Sequence, residues 1–188
     1  GDLAAVWTGA EVVLFGGLGD QGFRGDGARY DPAGDRWRSL PSDGAPSVRA
    51  NGTGVWTGSE VFVWGGFDDL GVLPPDGALY DPSADRWRAV SSANAPAPRS
   101  DVTAVWTGRE VLFWGGATVD MPGPFPSRVP LDTGGRYRPD RNEWRTVESA
   151  ESLAARYAHG VAWTGSELFV WGGAGALRPL SSGARLRL

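Results

Sequence analysis

Val55-Trp56-Thr57-Gly58-Ser59-Glu60-Val61-Phe62-Val63-Trp64-Gly65-Gly66 is stated four times in this chain of 188 residues. It recurs as Val6–Gly17, as Val105–Gly116 and, with Ala162 in place of the first Val, as Ala162–Gly173. Two short apolar runs joined by Thr-Gly-x-Glu predict a tight hairpin. Gly at the first central turn position (Gly9, Gly58, Gly108, Gly165) supplies the positive φ that a type II′ turn requires. In such a hairpin Thr57 faces Glu60, Trp56 faces Val61, Val55 faces Phe62 and Thr53 faces Trp64. Alternation then puts Trp56 and Trp64 on opposite faces of one sheet. A sheet with a large aromatic on each face cannot leave either face wet, so it must be stacked between neighbours.

A second module follows each hairpin. It reads Gly27-Ala-Arg-Tyr30-Asp-Pro…Asp35-Arg-Trp37, then Gly77…Tyr80…Trp87, then Gly135…Tyr137…Trp144. The Tyr-to-Trp step is seven residues each time. Asp-Pro-x-x-Asp lies between them (Asp31–Asp35, Asp81–Asp85), with Arg138-Pro139-Asp-Arg-Asn142 in the third copy. Pro suits the second position of a type I turn, and Asp or Asn bonds back to the turn backbone. Each unit therefore predicts four strands, a to d, meandering antiparallel. Frequent Gly, Pro and β-branched residues, with no 3.6 period, argue against helices. The first Trp of each hairpin falls at 7, 56, 106 and 163, in steps of 49, 50 and 57. A period near 50 belongs to propellers and arrays.

A double glycine after an apolar strand, followed by a spaced Tyr and Trp, resembles the kelch repeat, and the resemblance covers nearly the whole chain. It implies an all-β, kelch-type β-propeller in which each repeat is one four-stranded blade, similar at fold level to the galactose-oxidase-like propellers. The blades fall approximately at 1–40, 47–90, 99–147 and 156–188 of a single domain. Stacking in a propeller would bury most of the Trp side chains between blades, Trp64 and Trp114 among them. Small residues in strand a (Ala4, Ala5, Gly54, Ala104, Gly160) suit a crowded axis. Arg on both sides of the strand d Trp (Arg36/Arg38, Arg86/Arg88) suits an outer edge. The fourth copy stops after Gly183-Ala-Arg-Leu186, before a fourth strand. Three complete blades and a fourth lacking its outer strand are therefore expected, with the remaining strand or further blades belonging to a longer natural chain.

Composition narrows the chemistry. Net charge is −4 with scattered charges, which gives no footprint for nucleic acid. No apolar run approaches the roughly 20 residues of a membrane span. All 18 basic residues are Arg, and Ile is absent; Lys and Ile use AT-rich codons, so GC-rich, bacterial coding is expected. Without cysteine and with one histidine, no cofactor and no metal site of the usual ligand types is expected. The Tyr–Cys copper chemistry of galactose oxidase cannot be carried over. The compartment stays open, with an extracellular or periplasmic setting ahead of the cytoplasm.

Antiparallel meandering sorts the connections onto two faces. The a–b and c–d turns repeat almost unchanged on one. The b–c and d–a loops share the other, where the copies diverge: Leu18–Asp26, Phe67–Asp76, the long Ala117–Thr133 and Ala174–Ser182. Loops freed from repeat chemistry are where recognition is built. Strand a starts on that face with Asp2, Asn51, Asp101 and Ala158 at equivalent places, Arg49, Arg99 and Arg156 two residues earlier, and His159 one place further in. Asn51, Asp101, the Arg set and His159 are the candidate ligand-binding residues at a channel mouth. For the Arg set the competing reading is that they tie blades together through loop carbonyls, and for His159 a packing role. Phe125 and Arg128 are added from the longest loop, as an apolar anchor and a charge. Glu11, Glu60, Glu110 and Glu167 beside the turns read as structural, and no catalytic residue is assigned. Arg24-Gly25-Asp26 and the sequon Asn51-Gly52-Thr53 read as chance patterns. The expected function is a binding or scaffold module for a protein, peptide or glycan. The alternatives are a carbohydrate-active kelch-type enzyme with its site at the channel mouth, and purely architectural blades of a larger propeller.

Overall fold

A computed structural model describes residues 2–120, 127–148 and 153–187. The chain is all-β, and no helix occurs among the described residues. The first sheet orders β1 (Ala4–Trp7), β2 (Val12–Phe15), β5 (Gly27–Asp31) and β6 (Arg36–Ser39). Between β2 and β5, β3 (Leu18–Gly19) and β4 (Gly22–Phe23) form a small hairpin. The second sheet orders β7 (Thr53–Trp56), β8 (Val61–Trp64), β9 (Gly77–Asp81) and β10 (Arg86–Ala89). In the third, β11 (Thr103–Trp106), β12 (Val111–Trp114), β15 (Gly134–Arg138) and β16 (Glu143–Val147) repeat the order. The segment 117–133, expected as a loop, carries its own hairpin of β13 (Ala117–Asp120) and β14 (Ser127–Pro130). The fourth sheet has β17 (Gly160–Trp163), β18 (Glu167–Trp171) and β19 (Gly183–Arg187). All pairings are antiparallel, and none of the sheets closes on itself.

The hairpin register is the one the turn chemistry demands. Trp56 lies opposite Val61, Val55 opposite Phe62 and Thr53 opposite Trp64. At the turn, Thr57 donates its N–H to the Glu60 carbonyl at 2.9 Å, and its hydroxyl accepts from the Glu60 N–H at 3.0 Å. Gly58 takes φ of 92°, which a Cβ would strain. The repeated Glu is an anchor as well. Glu60 holds Arg88 through two contacts of 2.6 Å, and Glu110 holds Arg136 at 2.6 Å. Arg88 also donates to the Pro139 carbonyl of the next sheet at 3.1 Å, so this strand d arginine joins sheets as well as lining an edge. The fixed Tyr-to-Trp spacing has a further cause. Asp35, Asp85 and Asn142 adopt left-handed φ and accept the hydroxyls of Tyr30, Tyr80 and Tyr137 at 2.9, 2.6 and 2.6 Å.

The first strands β1, β7, β11 and β17 lie side by side in that order, and the core is sandwiched between successive sheets. Val6, Val13 and Phe15 pack on Val61, Val63, Tyr80 and Trp87. Phe62 and Trp64 pack on Phe113, Tyr137 and Trp144. Leu112 and Trp114 pack on Leu168, Val170 and Leu186. Gly54 lets β7 approach β1, since a Cβ there would sit 2.7 Å from the Val6 side chain. The expectation of buried tryptophans needs a correction. Trp64, Trp87, Trp114 and Trp144 are buried, whereas Trp7, Trp37 and Trp171 are 53, 60 and 66% exposed. The reason is position, because no sheet among the described residues covers the outer face of the first or the fourth.

Candidate binding site on the long-loop face

Four equivalent residues build the floor of the site. Asp2, Asn51, Asp101 and Ala158 all adopt left-handed φ between 51 and 65°, a region that short polar side chains tolerate better than most. Each of the last three donates a backbone hydrogen bond to the one before it. Asn51 N–H donates to the Asp2 carbonyl at 2.8 Å, and Ala158 N–H to the Asp101 carbonyl at 3.0 Å. A longer contact of 3.4 Å joins Asp101 to Asn51. The corners therefore line up along the sheets and border a shallow cleft of about 230 Å³.

Asp101 is the hub. Its carboxylate accepts from Asn51 Nδ2 at 3.0 Å and from Ser100 Oγ at 2.7 Å, and it pairs with Arg128 at 3.2 Å. The sequon at Asn51 is thus engaged within the fold. Arg128 comes from β14 of the inserted hairpin, and its guanidinium lies 5.9 Å from the Phe67 ring and 5.6 Å from the Tyr157 ring. Both distances are within cation–π range. Phe67 is braced edge-on by Phe23 at 5.6 Å. A pocket of about 160 Å³ opens beside this group, lined by Phe67, Gly71, Ser100, Val119, Ser127 and Arg128. The Arg128 side chain remains 41% exposed while Asp101 is 10% exposed, so a ligand would meet the guanidinium and the aromatic edges first.

The other sequence-derived candidates are placed differently. Arg49, Arg99 and Arg156 are buried, and their Nε and Nη1 groups donate to loop carbonyls in one repeated pattern, while Arg49 Nη2 also pairs with the Asp76 carboxylate at 2.6 Å. Arg49 reaches Ser47, Gly65 and Asp76; Arg99 reaches Ala97, Gly115 and Thr133; Arg156 reaches Ala154, Gly172 and Ser182. Burial lowers all three guanidinium pKa values, that of Arg99 to about 10. These arginine side chains tie the b–c loop to the start of strand a within one and the same repeat, rather than joining one repeat to the next. His159 is 3% exposed, edge-on to Trp114 at 6.2 Å, and occupies the place Val102 holds in the third repeat. Neither ring nitrogen has a hydrogen-bond partner, and burial, aided by Arg156, pushes the imidazole down to about 4. Phe125 lies outside the described residues.

Phe67 and Tyr157 escaped the sequence reading, although each departs from the repeat. Phe67 follows a Gly-Gly where other copies have Leu18, Ala117 and Ala174, and Tyr157 stands where others have Ala50 and Ser100. Two aromatic departures at adjacent repeat positions were the available signal.

A larger cleft, about 910 Å³, lies on the opposite face between the turns of the first and second sheets. The same wedge recurs between the second and third sheets at about 370 Å³ and between the third and fourth at about 170 Å³. It is a by-product of stacking identical turns, which sets it apart from the single, non-repeating Asp101–Arg128 group. Arg24 and Asp26 close on each other at 2.6 Å, so the tripeptide containing them is internally paired. Among the described residues no group of His, Asp and Glu could hold a metal ion. No family model and no curated protein matches the sequence.

Proposed function

We propose that the four sheets are blades of a kelch-type β-propeller whose role is binding, with the b–c and d–a loop face presented to a protein, peptide or glycan partner. The observation that carries this reading is the Asp101–Arg128 pair set between Phe67 and Tyr157. It is the place where the loops of the second, third and fourth repeats meet in a constellation that the repeat itself does not require. A partly exposed guanidinium beside aromatic edges is a frequent energetic centre of interfaces. Asp101 suits positioning better than proton transfer, because its oxygens are taken by Asn51, Ser100 and Arg128. That favours binding over catalysis at the mouth.

Screening the chain against peptide and glycan arrays, followed by titration of the best binder, tests the reading. Arg128→Ala and Phe67→Ala are expected to weaken that binder tenfold or more, roughly 1.4 kcal/mol, with unchanged melting. Arg109→Glu, on the turn face, is expected to leave it intact. Loss of binding in Arg109→Glu with Arg128→Ala unaffected would place the working face on the other side.

A further inference from the structure

We infer that the exposed face of the fourth sheet and the exposed face of the first are two halves of one interface, through which two copies of this chain dock head to tail. The internal contacts supply the template. Trp64 stacks on Phe113 at 5.1 Å and meets Trp144 at 5.4 Å, while Phe62 meets Tyr137 at 5.3 Å. In this contact between the second and third sheets the Phe/Trp face of one meets the Tyr–Trp pair of the other. The fourth sheet offers the same giving face, with Phe169 in the place of Phe62 and Trp171 in the place of Trp64, 45 and 66% exposed. The first sheet offers the same receiving face. Its Tyr30–Trp37 pair has ring centroids 4.8 Å apart, as Tyr137 and Trp144 do at 4.9 Å, and Trp37 is 60% exposed.

Polar groups match in the same register. Arg29 donates across the first internal interface to the Pro82 carbonyl at 3.0 Å. Arg185 holds the Arg29 position in the fourth sheet and is exposed, and Pro32 holds the Pro82 position in the first. Docking by the internal register sets Trp171 over Leu14 and Trp37, Phe169 over Tyr30, and Arg185 at the Pro32 carbonyl. The two faces differ, so each fits the other and neither fits itself. This makes the contact heterologous and excludes a simple isologous dimer. Several exposed tryptophans and a phenylalanine on such faces form apolar patches of the kind that mark protein contacts. The inference stands on the sheet faces alone and is independent of the ligand proposed above.

Sedimentation of the 188-residue chain across about 1–100 μM, a range that resolves micromolar association, gives the first test. Concentration-dependent assembly is expected, and a monomer throughout overturns the inference. Two variants then test the pairing: Phe169→Glu/Trp171→Glu, dead on the giving face, and Tyr30→Glu/Trp37→Glu, dead on the receiving face. Each alone should be monomeric with an unchanged β-type circular dichroism spectrum, and an equimolar mixture should form a one-to-one dimer and nothing larger. Assembly that persists in either variant alone, or a mixture that stays monomeric while the parent chain assembles, overturns the head-to-tail pairing. Should the Tyr30/Trp37 variant unfold, Pro32→Gly with Trp37→Arg takes its place in the same mixture.

Discussion

Trp114 and Trp171 are the tenth residue of the same twelve-residue stretch in neighbouring repeats, yet one is fully buried and the other 66% exposed. The same contrast separates Trp144 from Trp37, at 4 and 60% exposure. Local structure is identical in each pair, since both members sit in antiparallel hairpins of the same register. What differs is whether a sheet lies against them. Repeat proteins gain much of their stability at the interfaces between units, so equal residues in this chain carry unequal weight according to their place in the row.

The largest expected effect sets inner against outer tryptophans. Trp114→Ala should lower unfolding free energy by about 3–5 kcal/mol. Trp171→Ala, measured at a dilution where the chain is monomeric, should change it by no more than about 0.5 kcal/mol. Urea unfolding of both variants reads the difference, and equal losses would break the distinction between inner and end sheets.

A smaller effect, visible only with pH, comes from His159. Its counterpart in the first repeat, Leu3, is 41% exposed, whereas His159 is sealed between the third and fourth sheets. Its pKa falls from an ordinary value near 6.5 to about 4 on folding, so between those values the unfolded chain binds a proton that the folded chain excludes. The contribution of this group to stability is therefore full above about pH 6.5 and is lost as pH drops towards 4. Roughly 2 kcal/mol should go between pH 6.5 and 5. His159→Val, which copies the Val102 environment, should flatten that part of the pH profile. A profile that keeps its slope would assign it to carboxylates instead.

The smallest effect compares ion pairs. Glu110→Gln breaks a contact with Arg136 in which the two side chains are only 10 and 31% exposed, and should cost about 1 kcal/mol. Glu167→Gln breaks the contacts of the equivalent glutamate to Arg185 and Arg187, themselves 61 and 78% exposed, and should leave the melting curve unchanged. High salt should narrow the gap between the two variants.

Much of this molecule is legible in the sequence because its strands are set by short-range chemistry. Thr-Gly-x-Glu fixes a hairpin, its register and the side of the sheet each Trp occupies. Asp-Pro-x-x-Asp and the Tyr seven residues before Trp fix the second hairpin. The binding-site candidates were less legible. Arg49, Arg99 and Arg156 invite a ligand-binding reading because they are charged and near a mouth, but charge and position do not say where a guanidinium points. The inserted hairpin of β13 and β14 was equally hidden, since its strands carry no repeat to compare with. Without that hairpin, Arg128 has no reason to meet Asp101, Phe67 and Tyr157, which stand 27, 61 and 29 residues away along the chain.

Residues close in the chain set the repeated strands, their turns and the antiparallel order within each repeat, because each of those features is a local contact; the inserted hairpin is the exception. Tertiary structure alone decided which faces are covered, which arginines are buried, and that His159 titrates low. Those properties depend on what packs from the next repeat, about fifty residues away, and burial and local dielectric are set by that neighbour and not by the residue's own surroundings in sequence.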